Sequence, residues 1–401
     1  MSKTVTIIGA GLGGLSLAIA LGNSPFNIVI LEQSDSFHPI GAGIQISPNV
    51  MPVFQALGLR DKIIDHGSEV KRAFFRDYKS GEAKLSLPLG ALCQNHYTHP
   101  YLNMHRADLH DILHAKVNEQ HIPIHMGAAL RRIETTDKAY KLGTDKGTFH
   151  TDIIIGADGI HSRVRQAVFN SPPARFTGQC AWRALVPIDG LKAHIFEQNV
   201  NNWMGPGAHI VTYPVKQGSL LNIVAVTENA KWQEESWARP DTPDNLRTAF
   251  KDWEPTPQTL LERVETCYLW GLFEHAALPH YHKDRIALMG DAAHAMLPFM
   301  AQGAAMAIED AYALAQCLMA MPDDPAAGLA AYDAQRRPRT QAVQKRSTKN
   351  AALYHATRFG ARHWRDIKFG LGSRFPNLAM NALHPTYGHD VTQEIYKAPS
   401  A

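Results

Sequence analysis

The chain has 401 residues, 45% apolar and 19% charged, the composition of an ordinary globular enzyme with room for two domains. Its 40 Lys and Arg against 37 Asp and Glu give a formal charge of +3 with no block of like charges, which excludes a composition-based case for nucleic acid or an anionic membrane as partner. Cys93, Cys180, Cys267 and Cys317 are too widely spaced for a zinc or disulfide framework and read as buried free thiols, with no metal implied. The start, "MSKTVTIIGAGLGG", enters a strand without a signal-type segment, and no apolar run approaches about 18 residues, so a cytoplasmic protein is expected.

In chain order, "TVTIIGA" reads as a strand buried on both faces, "LGGLSLAIALGN" as a helix and "FNIVILEQ" as a second strand, together a βαβ unit. "GAGIQISPNVMPVFQALGL" is a Gly-rich loop followed by a helix from about Pro48. Residues 71–99 are strand-like with Gly and Pro breaks, and "YLNMHRADLHDILHAKV" is an amphipathic helix entered through Arg106. "TDIIIGADGIHSRVRQAV" is again strand, turn and helix. Between about Phe176 and Cys267, β-branched runs such as "AWRALVPI", "AHIVTYPV" and "LLNIVAVT" alternate with turn residues, the signature of an antiparallel sheet. The βα texture returns at "DRIALMGDAAHAM", helices follow to about Phe359, and the end is Pro-rich and irregular. The expected fold is therefore α/β, with a discontinuous Rossmann-like domain (residues 1–70, 99–175 and 276–325). A sheet-rich substrate domain (71–98 and 176–275) is inserted in it, and a C-terminal helical region and tail (326–401) follows.

"GAGLGG" places Gly9, Gly11 and Gly14 in a GxGxxG pattern between strand and helix. The first permits the tight turn, the second lets a pyrophosphate approach the backbone where the helix opens at Leu12, and the third lets helix and strand pack closely. Glu32, eighteen residues after Gly14, stands where a carboxylate accepts from a ribose hydroxyl. Three further features favour FAD over NAD as the bound dinucleotide. Asp158 and Gly159 follow one buried strand, Asp291 follows another, and Arg106 opens a helix between them. Asp291 is placed to accept from ribityl hydroxyls, and the helix starting near Ala301, through Gly303 and Ala304, can point its positive end at a flavin ring.

These motifs in this order, "GxGxxG…E", "GADGIHSRVR" and "GDAAHAMLPFMAQG", resemble the single-component FAD-dependent aromatic hydroxylases, the group A flavoprotein monooxygenases. Para-hydroxybenzoate hydroxylase is a more distant likeness. Salicylate hydroxylase, 3-hydroxybenzoate 6-hydroxylase and 6-hydroxynicotinate 3-monooxygenase are nearer ones, and the likeness runs over about residues 3–360, with "TYGHDVT" near the end matching a late segment of that subgroup. The resemblance implies a para-hydroxybenzoate hydroxylase-like FAD domain, with FAD contacts at Gly11, Glu32, Arg106 and Asp291, and Asp158 and Gly159 serving FAD and NAD(P)H. It also implies that the loop from Gly41 through Gly43 to Gln45 lies against the isoalloxazine and Pro298 beside its reactive edge. NADH or NADPH would be a transient co-substrate, since no second Gly motif occurs after Ile160, and O2 would react through a flavin hydroperoxide. The other partner is a small aromatic substrate, a hydroxylated aromatic or pyridine carboxylate of salicylate type, with decarboxylating hydroxylation included. A homodimer through the C-terminal helices is compatible with the sequence.

On the substrate side, His209 and Tyr213 stand four apart in "GAHIVTYPV", so strand alternation puts them on one face, toward a cavity or stacked in an ordinary sheet. The resemblance implies the first, with the histidine withdrawing a phenolic proton. Arg183 either pairs with a substrate carboxylate or is exposed or structurally paired. Gln45 and Phe299 depart from the hydroxynicotinate enzymes, which carry His at one or both places, so that wall becomes apolar. His294 reads as a helix-positioning residue. Competing functions are a flavin epoxidase or reductase of the same fold acting on a non-phenolic substrate, and a non-catalytic FAD- or NAD-bound sensor, which would leave Asp158, Asp291 and the glycine floor without purpose beyond ligand retention. A halogenase is disfavoured because Trp182 and Trp203 stand outside any WxWxIP sequence.

Overall fold

A computed structural model of the chain describes residues 2–37, 42–137, 139–229 and 239–396. The near-continuous apolar runs build a six-stranded sheet, ordered His282–Lys283, Ile286–Leu288, Ile153–Gly156, Thr4–Ile8, Asn27–Leu31, Ile124–His125. Only the first of these runs antiparallel to its neighbour. Such parallel strands need both faces covered, and Ile7, Ile30, Ile154 and Leu288 are indeed fully buried. Helix Leu12–Leu21 packs against helix Gly303–Ala320, so closely that a side-chain carbon added at Gly13 would meet Ala307 at 3.3 Å.

A second sheet has eight strands, ordered Arg239–Asp241, Cys267–Glu274, Arg175–Pro187, Leu220–Glu228, Ala208–Val215, Asn199–Gly205, Arg72–Asp77, Ala83–Leu87. It is antiparallel except where Asn199–Gly205 meets Arg72–Asp77. Its two faces differ, as the period of two requires. Trp182, Ala184, Ala208, Ile210 and Ile223 bury one face against Leu246, Phe250 and Leu260. His209, Val211, Val224 and Val226 turn the other way, toward Phe299 and Tyr354.

Three expectations from the sequence are corrected. The stretch read as strand-like up to residue 99 contains helix Leu89–Tyr97, whose buried Leu89, Leu92 and Cys93 follow helical spacing that Pro88 and Gly90 obscure. Helices Ala193–Phe196, Pro243–Ala249 and Pro255–Glu262 interrupt the sheet-rich stretch. The expected irregular end is two helices, Phe359–Arg374 and Pro376–Tyr387. The second starts with Pro at its first position, where the missing N–H is harmless, and buries Met380. All four cysteines are free and buried. No described helix is long and apolar enough to cross a membrane.

Helix Gly303–Ala320 is locked by a buried ion cluster. Arg336, from the long helix Pro325–Tyr354, lies 2.8 Å from both Glu309 and Asp310. Asp310 also accepts from His294 Nε2 at 2.5 Å and from the Gly290 N–H at 3.1 Å. Glu309 takes Arg339 at 2.7 Å and Asn49 Nδ2 at 2.7 Å. His294 therefore positions the helix junction, as its sequence context suggested. Burial alone would raise the Asp310 carboxyl, but His294 and Arg336 outweigh it and hold the group at about 2. Arg336→Met, which leaves two buried carboxylates without their shared cation, should cost about 3–5 kcal/mol, read as a lowered urea midpoint. Because the folded-state value lies below the ordinary 3.8, the Asp310 contribution is present above about pH 4 and is lost as pH falls toward 2. Asp310→Asn should accordingly flatten the acid limb of the stability curve in that window.

Candidate active site

The glycine turn is built by contacts that exclude larger residues. Gly9 has φ +106°, and a side-chain carbon there would meet the Ala157 carbonyl oxygen at 2.5 Å, while one at Gly14 would overlap the Gly9 carbonyl. Gly11 differs: nothing lies within 4 Å of where its side-chain carbon would stand. The fold does not need that glycine, whereas a ligand approaching the backbone would. Helix Leu12–Leu21 opens beside it without a side-chain cap, leaving N–H groups and the positive end of the helix for an anion. Glu32 is buried at the end of its strand, where its two oxygens accept from Ala10 N–H at 2.8 Å and Ser34 N–H at 2.9 Å. Each oxygen keeps a lone pair for a further donor.

Arg106, the first residue of helix Arg106–Glu119, has an exposed side chain by surface area. Burial nevertheless dominates its surroundings and lowers its guanidinium, with Asp291 working in the opposite direction. The two facts agree if its open surface faces a cleft rather than bulk water. Asp158, Arg183 and Asp291 are likewise only half-buried by area yet burial is the largest influence on each. It raises Asp291 against His294 and Arg106, and lowers Arg183 against Tyr213 with Arg106 adding to the lowering. These mutual influences bring Arg106, Asp291, Arg183 and Tyr213 into one electrostatic neighbourhood.

Asp291 follows Gly290, whose φ of +57° and ψ of −141° only glycine adopts readily. No described residue hydrogen-bonds its carboxylate, and one oxygen lies 4.0 Å from where a side-chain carbon at Gly303 would stand. The acid and the uncapped start of helix Gly303–Ala320, at Gly303 and Ala304, therefore face one space. Asp158 has a divided role. One oxygen caps helix Arg163–Phe169 through Arg163 N–H at 2.7 Å and Val164 N–H at 3.3 Å. The other is buried without a partner among the described residues.

On the substrate side, Gly41 lies outside the described residues. Gly43 donates its N–H to Asn222 Oδ1 at 2.7 Å and rests against Tyr213, where an added side-chain carbon would meet the ring at 2.5 Å. Gln45 pairs with Asn103 at 3.2 Å. Tyr213 is buried, which pushes its phenol up to about 12 with Arg183 opposing. Arg183 stacks at 4.2 Å on the Trp270 ring, its Nε has no partner among the described residues, and no described carboxylate pairs with it. His209, 3% exposed, is enclosed by Phe299 at 5.1 Å, Tyr354 at 5.6 Å and His355, whose Nε2 lies 2.7 Å from His209 Nδ1. It shares the Tyr213 face of the strand but not that residue's immediate neighbours.

Residues that sequence reasoning missed hold the loop carrying Pro298 and Phe299. The long helix donates from Gln344 to Ala295 O (2.9 Å), from Ser347 to Leu297 O (2.5 Å) and from Asn350 to Phe299 O (3.2 Å). Their spacing of three along one helix face was the available signal. Among the described residues no His, Cys, Asp and Glu group is arranged to hold a metal.

Residues 2–347 match the family model described as FAD binding domain. The chain belongs to that family. Its relatives include the 3-amino-4-hydroxybenzoate 2-monooxygenase of Streptomyces cremeus, 34% identical over 88% of this chain and 87% of that one. The 6-hydroxynicotinate 3-monooxygenase of Bordetella bronchiseptica is 33% identical over 87% of this chain and 91% of that one. Among solved structures, a salicylate hydroxylase substrate complex superposes with a TM-score of 0.84 at 26% identity, covering 100% of this chain and 99% of the other.

FAD is thus the cofactor of this fold, and the residues present fit it: a glycine with empty space above it, two uncapped helix starts and an acid lacking protein donors. Gly11→Val tests that fit. The apoprotein should unfold within about 1 kcal/mol of wild type, since nothing is displaced, while FAD affinity falls at least about 100-fold, the equivalent of about 2.7 kcal/mol. Equal FAD retention in the variant would place the pyrophosphate elsewhere.

Proposed function

We propose that the protein is an FAD-dependent monooxygenase that uses NADH or NADPH and O2 to hydroxylate a small phenolic carboxylate, with salicylate-type benzoates favoured. The observation that carries this reading is Arg183, a half-buried cation near Tyr213, stacked on Trp270, whose Nε is buried and which has no described carboxylate partner. A guanidinium withdrawn even partly from water without an anion is costly, and a ligand carboxylate would offset that cost. Bound FAD would supply the reducing equivalents and activated oxygen. Gly9, Gly11, Leu12 and Gly14 would receive its pyrophosphate, Glu32 its ribose and Asp291 its ribityl hydroxyls, with Gly43, Arg106, Asp158, Gly303 and Ala304 around the rest. Tyr213, whose phenol stays protonated at neutral pH, would donate to the substrate oxygen. His209, kept neutral first by burial and then by His355, would accept the phenolic proton.

Gln45, Pro298 and Phe299 would form the opposite wall. Phe299 contributes no proton-transfer group, which favours a benzoate over a hydroxypyridine. The two relatives described above act on an aminohydroxybenzoate and a hydroxynicotinate, and the shared chemistry is a hydroxyl and a carboxylate on one ring. Reduced nicotinamide is expected to visit the same cleft.

The test is NADH and NADPH oxidation across a panel of hydroxybenzoates and hydroxypyridine carboxylates, with hydrogen peroxide assayed in parallel. Stimulated oxidation without matching peroxide supports ring hydroxylation; a flat panel sinks it and favours a non-phenolic substrate. With the stimulating compound, His209→Ala should keep FAD bound while product formation falls about 10²–10⁴-fold. Arg183→Ala should raise KM for carboxylated compounds about 10- to 100-fold and spare uncharged phenols.

We also propose a homodimer through the last two helices. Trp364, Ile367 and Leu371 are exposed at helical spacing on helix Phe359–Arg374, and Phe375 at the junction and Leu378 in helix Pro376–Tyr387 are exposed as well, Trp364 being 65% exposed. Their combined extent, several hundred Å² by the usual side-chain areas, approaches the roughly 800 Å² each partner contributes to a standard interface. Trp364→Glu with Leu371→Glu should then convert a sedimenting dimer to monomer with FAD content unchanged.

A further inference from the structure

We propose that His355 and Glu228 form a proton exit for His209, connecting the enclosed imidazole to solvent. The proposal rests on the reading of His209 as the base. His209 Nδ1 and His355 Nε2 are 2.7 Å apart, a hydrogen bond between two buried imidazoles. The other His355 nitrogen, Nδ1, lies 3.4 Å from Glu228 Oε1, within ion-pair distance though not aligned as a hydrogen bond. Glu228 ends the strand Leu220–Glu228 with its side chain 55% exposed, so the carboxylate that reaches the buried His355 also meets water.

The protonation pattern follows from the chain itself. A carboxylate only accepts, so it favours the proton on His355 Nδ1 and leaves Nε2 as an acceptor. His209 must then donate from Nδ1, which leaves its Nε2 without a proton. No described residue bonds to that nitrogen. Each link therefore prepares the next, and the group left at the inner end is the acceptor a phenol needs.

The transfer balances without any change in oxidation state. The substrate O–H bond breaks and a bond to His209 Nε2 forms. The Nδ1 proton of His209 passes to His355 Nε2, the Nδ1 proton of His355 passes to Glu228, and Glu228 releases it to water. The surroundings make such an outlet necessary. His209 meets Phe299 from the loop, Tyr354 at the end of the long helix, His355 just beyond it, and Val226 on the neighbouring strand, so no described carboxylate touches it to stabilise an imidazolium. Burial disfavours the charged form of His209, and of His355, where Glu228 works in the opposite direction. A proton taken by His209 and not passed on would stay in a place that resists it. His355 and Glu228 act through His209 and are positioning residues.

FAD-loaded protein labelled with [15N]histidine, without any other ligand, supplies the first readout. Wild type at neutral pH should show His209 and His355 as neutral Nδ1–H tautomers, assigned by loss of signal in His209→Ala and His355→Asn. Glu228→Ala should move His355 toward the Nε2–H form. A wild-type His209 carrying its proton on Nε2, or a His355 signal indifferent to Glu228→Ala, overturns the chain. The second readout is the pH profile of product formation with the stimulating panel compound. Glu228→Ala and His355→Asn, each checked for FAD absorbance and melting temperature, should slow turnover at least about 10-fold at neutral pH, with partial recovery on adding free imidazole. If His209→Ala turns over normally, the base reading fails and takes the exit with it. If His209→Ala is crippled while both other variants keep wild-type rates and profiles, the exit alone is wrong.

Discussion

The junction that carries Asp291 and helix Gly303–Ala320 depends on one buried cation placed between two adjacent carboxylates. Arg336 sits against both Glu309 and Asp310, and all three side chains are removed from water. Desolvating three charges offsets much of their attraction, so the cluster is poor evidence for stability as such, and an apolar replacement of equal volume could be as stable. What an apolar replacement would lack is direction. Asp310 reaches Gly290 and His294, while Glu309 reaches Asn49 and Arg339, so segments far apart in sequence meet at fixed angles. Asp291 and the start of helix Gly303–Ala320 inherit that precision, because both lie within a few residues of the anchored groups.

The same economy governs the second sheet. A strand alternates its side chains, so Ala208–Val215 can close an apolar core with Ala208 and Ile210 while turning His209 and Tyr213 to the opposite face. The strand needs no special conformation to do this; it needs a partner on each side. Helices Pro243–Ala249 and Pro255–Glu262 cover the outer face, and the loop carrying Phe299, pinned by Gln344, Ser347 and Asn350, covers part of the inner one. Rigidity in that loop comes from a helix more than 40 residues later in the chain.

What was legible in the sequence was what short-range rules encode. Gly14 follows from a backbone collision with Gly9 inside one turn, and Glu32 and Asp291 from their positions at strand ends, all readable over about 20 residues, whereas Gly9 was legible only through the motif because the atom that excludes a side chain there belongs to Ala157 on a distant strand. The helix Leu89–Tyr97 and the two C-terminal helices were missed because Pro and Gly at their edges looked like breaks, while the burial that stabilises them comes from distant partners. The bond from His209 to His355 joins residues 146 apart and leaves no periodic trace, and the Arg336 cluster is similarly silent until the helices are packed. His294 could be given a positioning role from its context; its acceptor, Asp310, could not be singled out.

The two groups proposed to meet the substrate oxygen illustrate how one environment yields opposite functions. Burial disfavours charge on both Tyr213 and His209, pushing the phenol up to about 12 and the imidazole well down. At neutral pH both are therefore uncharged, but an uncharged tyrosine still holds a proton to donate and an uncharged histidine has a lone pair to accept one. A phenolic substrate held between them can lose its proton in only one direction. Exchanging the two side chains would preserve volume, polarity and burial roughly, yet would turn the acceptor at the His355 end into a donor and strand the proton on the wrong side of the ring. On the proposed roles, the order His209 then Tyr213 along the strand would follow from which end of the site has a route to water.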